Sequence, residues 1–325
     1  MISVIIPAYN AEKTIGQCLK ALAGQSYPAN LYEVIVVDDG SGDRTGSIVQ
    51  NHAVRYVRQE NRGPATARNK GVQEAKGEII LFTDSDCVPD INWIREMIKP
   101  FDEPEVAAVK GAYLTRQKSI VARFAQLEFE ERFEMLKKVS TIDMVDTYSA
   151  GFRRHIFLKM GGFDTGFPVA NNEDTELSYR MSTLGYKMVF NPGAKVYHLN
   201  HPNTISRYAR LKFWRGYWRM VVYKRFPDKM VKDTYTPQTL KLQVLFLYLS
   251  LVALLLIGIW PHLALLLFFS IAILIFLLLP FTAFAVKQDP VVGLLSPFFL
   301  LIRAASLGAG IIWGVLSDSK KASGL

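Results

Sequence analysis

Two stretches of this chain carry no charge at all: residues 242–260 (LQVLFLYLSLVALLLIGIW) and 263–286 (LALLLFFSIAILIFLLLPFTAFAV). As helices rising ~1.5 Å per residue they reach about 28 and 36 Å, enough for a hydrocarbon core of roughly 30 Å. Uncharged runs this long are rare in water-soluble cores, so two membrane spans are expected rather than two buried core helices. Only Pro261 and His262 separate them. That spacing makes a tight hairpin with Trp260 at the far interface, where amphipathic rings prefer to sit. A third segment, residues 291–316, is split by Arg303 into apolar pieces of 12 and 13 residues and loosened by Gly308, Gly310 and Gly314. An interfacial or re-entrant segment is expected there, which keeps Lys320 and Lys321 with the other basic flanks. The membrane domain is placed at 242–325.

The charge is as localised as the apolar residues. Of a formal +9, residues 203–232 supply a net +8: nine Lys or Arg (Arg207, Arg210, Lys212, Arg215, Arg219, Lys224, Arg225, Lys229, Lys232) against Asp228. Tyr208, Phe213, Trp214, Tyr217, Trp218, Tyr223 and Phe226 lie between them. Such interleaving reads as amphipathic helices, here over 203–241, lying on an anionic lipid surface. Nucleic acid is the other partner a basic run can take, but this run abuts a span and no nucleic acid is expected. By the positive-inside rule residues 1–202 face the cytoplasm of a multi-pass inner-membrane protein. Met1 leads directly into Ile2–Pro7, a buried-strand pattern without a charged leader, so this domain is expected to start in the cytoplasm. The two cysteines, Cys18 and Cys87, form no disulfide framework and agree with a reducing compartment. Both read as small buried core residues.

Residues 1–202 alternate in period. Strands are expected at 2–6, 34–38, 54–57 and 79–83, with helical spacing over 11–23 and 64–76. This is an α/β pattern with a mostly parallel central sheet, and in such sheets the ligand lies beyond the carboxyl ends of the strands. Pro7-Ala8-Tyr9-Asn10, Asp38-Asp39-Gly40-Ser41 and Asp84-Ser85-Asp86 fall at those ends. No G-x-G-x-x-G follows the first strand and no G-x-x-x-x-G-K-[ST] occurs, which counts against a nicotinamide dehydrogenase and a P-loop ATPase.

Four carboxylates around one crevice are costly unless a cation or hydrogen-bond donors lie between them. Asp84 and Asp86, two apart past a strand, suit Mg²⁺ or Mn²⁺ bridging to a diphosphate, though a lone D-x-D can also be a turn. Further on come Ser149–Arg154, Gly161-Gly162-Phe163-Asp164 and Asn172–Arg180. Asn172 as N-cap and Gly185 past the end predict a helix over 173–184 with Leu177, Met181 and Leu184 inward. Asp174 sits in its first turn, where the helix dipole alone favours acids. An aspartate there can also accept a proton from a bound hydroxyl. His198 closes the domain, as a structural residue or as an Mn²⁺ ligand.

Together Pro7–Asn10, Asp38–Ser41, Gly63 with Ala67-Arg68-Asn69, Asp84-Ser85-Asp86, Gly162-Phe163-Asp164, Glu173-Asp174 and His198 resemble the family 2 glycosyltransferases. The resemblance implies a GT-A fold, inversion, and a nucleotide-sugar donor of the UDP or GDP type. It implies that Pro7, Tyr9, Asp38, Asp39, Arg68, Asp84 and Ser85 bind the donor, with Asp39 near base or ribose and Arg68 near the nucleotide. Asp86 and His198 would hold the metal, Asp174 would be the base, and Glu173, Arg210 and Trp214 would support acceptor or active site. Processive synthases of the family carry Q/R-x-x-R-W after the base, whereas Arg207–Leu211 ends in leucine. A single transfer to a lipid-linked acceptor, in cell-envelope or surface glycan synthesis, is therefore expected. A polymerising synthase and a non-catalytic nucleotide-sugar- or lipid-binding protein are the alternatives. The helical stretch 119–138 reads as an acceptor wall or as a structural helix.

Overall fold

The computed structural model describes residues 1–167 and 171–321, which divide into two compact units. One comprises Met1–Gln117 and Phe133–His201; the other comprises Lys118–Arg132 and the chain from Pro202 onward. Residues 118–132 thus group with the C-terminal helices rather than with the residues flanking them.

Along the chain the elements are β1 (Ile2–Ala8), α1 (Ile15–Ala23), β2 (Tyr32–Asp38), α2 (Thr45–Gln50), β3 (Arg55–Arg58), α3 (Pro64–Glu74), β4 (Ile79–Phe82), β5 (Cys87–Pro89), α4 (Trp93–Ile98) and β6 (Val106–Thr115). Then follow α5 (Ile120–Leu136), β7 (Ala150–Arg153), α6 (Arg154–Lys159), α7 (Glu173–Thr183), β8 (Lys187–His198), α8 (Ile205–Arg225), α9 (Pro227–Val231), α10 (Gln238–Leu256), α11 (Leu263–Gln288) and α12 (Pro290–Lys321).

The first unit is built on one mixed eight-stranded sheet, ordered β3-β2-β1-β4-β7-β6-β8-β5. Parallel pairing joins β3, β2, β1 and β4, and again β6 and β8; β7 and β5 run antiparallel to their neighbours. All of β1 is buried, as a strand covered on both faces must be. Phe82, at the end of β4, meets Phe152, Phe157 and Phe163 at 5.4–5.9 Å between ring centroids. That aromatic block closes the core at the end of β4, one residue short of the Asp84-Ser85-Asp86 turn. Leu177 and Met181 of α7 are buried as expected, but Leu184 is 61% exposed. The helix stops at Thr183 and Gly185 takes φ +75°, so the chain turns away before Leu184 can face inward.

The second unit is helical and, among the described residues, has three helices long and apolar enough to cross a membrane: Gln238–Leu256, Leu263–Gln288 and Pro290–Ser317. The third segment, expected to be interfacial or re-entrant, is one continuous helix, α12. Arg303 does not interrupt it, since the side chain is 1% exposed and its charge is met inside the unit. Arg303 Nη1 donates to Glu128 Oε1 at 3.1 Å, and Nη2 donates to Gln243 Oε1 at 2.8 Å. Nor do the glycines loosen the helix. Gly308 lies against the Tyr248 ring and Gly310 against the Phe213 carbonyl, where a Cβ would overlap. They let helices approach closely. Lys320 and Lys321 carry side chains outside those described. The basic α8 packs on α12 through Gly216 and the Leu307 carbonyl, burying Tyr208 and Lys212. From α5, Phe124 stacks on Phe299 at 4.8 Å and meets Phe281 at 5.5 Å.

Glu128, 1% exposed, also accepts from Lys212 Nζ at 3.0 Å and Tyr208 OH at 2.9 Å. Burial alone would raise its carboxyl, but Lys212, Arg303 and Arg132 outweigh it and hold the group well below the ordinary carboxylate range. Glu128→Gln keeps the shape and leaves two buried cations unbalanced, at a cost of about 3–5 kcal/mol. Thermal unfolding in detergent should show a large drop in Tm for this variant. Arg123→Gln, at the half-exposed pair with Asp289, should shift Tm far less.

Candidate active site

The loops after β1 and β2 are laced together. Asn10 adopts φ 48°, a left-handed conformation that asparagine tolerates. Its Oδ1 accepts the Gly42 N–H at 2.9 Å, and its own N–H donates to Ser41 Oγ at 3.0 Å. Pro7 is buried beside Val37, while Tyr9 is left 53% exposed. Asp38 accepts from Ser41 N–H at 2.9 Å and from Tyr56 OH at 2.6 Å. Asp39 accepts from Gln59 Nε2 at 2.7 Å and from the Arg62 and Gly63 N–H groups, both at 2.9 Å. Both aspartates are buried, and the structure uses them to brace the surrounding loops.

Arg68 of α3 is 2% exposed and lies between two acids. Its Nη2 donates to Asp84 Oδ1 and its Nη1 to Glu173 Oε1, each at 2.8 Å. One guanidinium therefore ties α3 to the end of β4 and to the first turn of α7. The next residue, Asn69, interlocks with the Gly162-Phe163 turn: Nδ2 donates to the Phe163 carbonyl at 2.8 Å, and Oδ1 accepts the Phe163 N–H at 2.9 Å. Arg180 holds the same turn through the Gly162 carbonyl at 2.9 Å while paired to Glu176 at 2.7 Å.

The two aspartates of Asp84-Ser85-Asp86 diverge. Asp84 turns to Arg68. Asp86 Oδ2 faces His198 Nε2 at 3.4 Å and accepts from Asn200 Nδ2 at 3.2 Å. β5 and β8 create this meeting, because Cys87 pairs with His198 across the antiparallel ladder. His198 Nδ1 accepts the Asn200 N–H at 3.1 Å, which leaves Nε2 on the Asp86 side. Tyr113 packs on the imidazole at 4.9 Å and on His201 at 4.7 Å. Burial raises the Asp86 carboxyl above its ordinary range; His198 opposes this and Asp84 adds to it. A site that disfavours its own anion in this way is relieved by a cation. Ser85 is half-buried at the same turn.

Asn172 occupies the N-cap of α7 in a left-handed conformation and makes no side-chain cap bond, contrary to a conventional cap. Asp174 is half-buried, and its Oδ1 accepts the Thr175 N–H at 2.7 Å, which fixes the carboxylate at the helix start. Arg210 and Trp214 belong to the other unit, both exposed on α8. Sequence reasoning missed Asn200, Tyr113 and the Glu176–Arg180 pair. Only Asn200 had a local signal, two residues past His198. A cavity of about 500 Å³ runs along the outer side of α3, lined by Gln59, Arg62, Thr66, Asn69, Lys70 and Gln73 among others. It contains neither Asp86 nor Asp174, so the chemistry is assigned to the strand-end ledge.

Residues 3–161 match the family model described as glycosyl transferase family 2. Those residues are a family 2 glycosyltransferase domain. The chain is 32% identical over 238 residues to the probable glycosyltransferase YdaM of Bacillus subtilis, covering 67% of this chain and 53% of that protein. It is 28% identical over 195 residues to glycosyltransferase AglE of Haloferax volcanii, covering 58% and 64%. It is 26% identical over 269 residues to the poly-β-1,6-N-acetyl-D-glucosamine synthase of Staphylococcus aureus, covering 77% and 64%. The chain thus spans about half to under two thirds of the length of these relatives. In three dimensions it resembles a mannosyltransferase from Pyrobaculum calidifontis in complex with GDP-Man and Mn²⁺, with TM-score 0.62 at 21% identity over 97% of this chain and 86% of that one. The glycosyltransferase domain therefore has the expected GT-A fold. The family match ends before Glu173, Asp174 and His198, so their placement rests on the geometry above.

Burial pushes the Glu173 carboxyl up to about 7, with the Asp174 charge adding to the rise and Arg68 opposing it. The folded protein then holds a proton on Glu173 that the unfolded chain releases near its ordinary 4.5. The resulting stability is complete below that value and is lost as pH rises toward about 7. Glu173→Gln should flatten this part of the Tm-against-pH curve; an unchanged slope would reject the assignment.

Proposed function

We propose that this chain is a membrane-anchored inverting glycosyltransferase, moving a sugar from a nucleoside-diphosphate sugar to a lipid-linked acceptor at the cytoplasmic face of the membrane. The observation that carries this reading is the ledge at the end of β4. There Asp86 meets His198, and Arg68 ties the same turn to the helix start that bears Asp174.

The donor set fits a divalent ion. An exposed-side carboxylate, an imidazole nitrogen and a burial that penalises the bare anion suit Mn²⁺ or Mg²⁺, with Asp86 and His198 as the protein ligands. When bound, such an ion offsets the charge that builds on the departing diphosphate. The GDP-Man and Mn²⁺ bound by the Pyrobaculum mannosyltransferase are in keeping with this donor class.

Asp174 takes the proton from the acceptor hydroxyl as that oxygen attacks the anomeric carbon. The C–O bond to the acceptor forms while the bond to the diphosphate breaks, so a single displacement inverts the centre. Thr175 N–H fixes the Asp174 rotamer. Arg68 and Glu173 keep α7 at a set distance from the donor turn, and positioning of this kind lowers the entropic part of the barrier. Tyr9, exposed beyond β1, is suited to cover the donor. The three long apolar helices, and the exposed basic and aromatic side chains of α8, support anionic lipids and a lipid-borne acceptor as partners. The similarity to a poly-N-acetylglucosamine synthase favours a second reading, a processive synthase.

Asp174→Asn should lower transfer by about 10²–10⁴-fold while nucleotide-sugar binding persists, since general-base contributions are of that size. Near-normal turnover with a competent acceptor would reject Asp174 as the base. With limiting acceptor, single transfer gives one product, whereas a ladder of long products selects the polymerising reading. A folded native protein that binds nucleotide sugar yet transfers to no lipid-linked acceptor would leave only a binding protein.

A further inference from the structure

We propose that Cys87 is a third donor of the Asp86–His198 site, so that the site takes a thiophilic divalent ion, Zn²⁺ or Cd²⁺, through carboxylate, sulfur and imidazole. The inference rests on the reading of Asp86 and His198 as metal ligands and adds a selectivity that those two residues do not supply. Cys87 stands directly opposite His198 in the antiparallel β5–β8 pair. Side chains at paired positions project to the same face with Cβ atoms about 4.5–5.5 Å apart. An Asp86 carboxylate oxygen, the Cys87 sulfur and an imidazole nitrogen all lie within 4.8 Å of one another. A tetrahedral ion with bonds of ~2.0–2.3 Å sets its donors roughly 3.5 Å apart. Asp86 and His198 already meet that spacing at 3.4 Å. A small rotation of side chains brings the sulfur in.

Hard Mg²⁺ and Mn²⁺ take oxygen and imidazole and leave the thiol protonated, whereas Zn²⁺ and Cd²⁺ favour sulfur. Binding of the softer ion forms an S–metal bond as the thiol proton passes to solvent, with no change of oxidation state. Three protein donors leave a tetrahedral ion one open position, fewer than an octahedral ion offers to diphosphate oxygens. Zn²⁺ bound this way is therefore inhibitory, displacing Mn²⁺ in a manner that depends on Cys87. Cys18 lies outside the set: its Sγ faces the Asp84 carbonyl at 3.7 Å.

The full-length protein in detergent, stripped of metal, would be titrated with Cd²⁺ while the ultraviolet sulfur-to-cadmium charge-transfer band is followed. A saturating band is expected in the native protein and in Cys18→Ser, and its loss in Cys87→Ser. Cys87→Ala serves equally if the serine variant does not fold. Mn²⁺ binding, followed by electron paramagnetic resonance, should survive in the Cys87 variants and vanish in Asp86→Ala. No band in the native protein, or an undiminished band without Cys87, overturns the proposal. A normal Cd²⁺ band in a protein that never binds Mn²⁺ supports the thiophilic site and sinks the Mn²⁺ reading instead.

Discussion

The first unit depends on one buried cation. Arg68 is sequestered from water and would be ruinously placed were it not held by Asp84 on one side and Glu173 on the other. Removing either acid would strand charge, so the three residues stand or fall together. Their elements, α3, the end of β4 and α7, come from separate parts of the chain. The guanidinium fork fixes their spacing with two bonds of 2.8 Å, a geometry that a lysine point charge could not reproduce. The residues proposed for donor binding and proton transfer, Asp86 and Asp174, lie two residues and one residue from this clasp in sequence. Their precision is borrowed from it.

The helical unit solves a related problem separately. Glu128 gathers Lys212, Tyr208 and Arg303, and Arg303 reaches on to Gln243, whose amide donates to the Leu277 carbonyl at 2.8 Å. A chain of polar contacts through otherwise apolar helices favours the register that brings these donors and acceptors together. The close glycine contacts of α8, α10 and α12 act in the same direction by admitting one approach and excluding bulkier neighbours.

Much of the fold was legible because it is written in local period. β1, β2, β3 and β4, helices α1 and α3, and the two charge-free spans appear within a few residues of their expected places. Two features that were not legible depend on distant partners. Arg303 read as an interruption because its partner, Glu128, is 175 residues away, and no window along the sequence contains both. The glycines of α12 read as weakness because their effect depends on facing side chains. Leu184 fitted the helical period and was lost to a terminus one residue earlier. At the site, the sequence order of the motifs revealed the family. Which acid faces which cation is a tertiary fact, visible only once α3, β4 and α7 are assembled.

That distinction sorts the acidic residues by what the protein itself does with them. Asp38 and Asp39 have both carboxylate oxygens accepting from backbone or side-chain donors and are almost sealed from water. Asp84 and Glu173 are engaged by Arg68. Asp86 and Asp174 are half-buried, as Asp84 is, but neither is engaged by Arg68; each is held in orientation by a neighbour, Asn200 Nδ2 and the Thr175 N–H. A carboxylate with its bonds already made inside the fold contributes rigidity. One that is oriented but still reachable can exchange a neighbour for a ligand, and that trade is what a metal site and a general base both require. The function proposed above places the chemistry on Asp86 and Asp174 and the architecture on the other four, in keeping with which carboxylates Arg68 and the loop donors already engage.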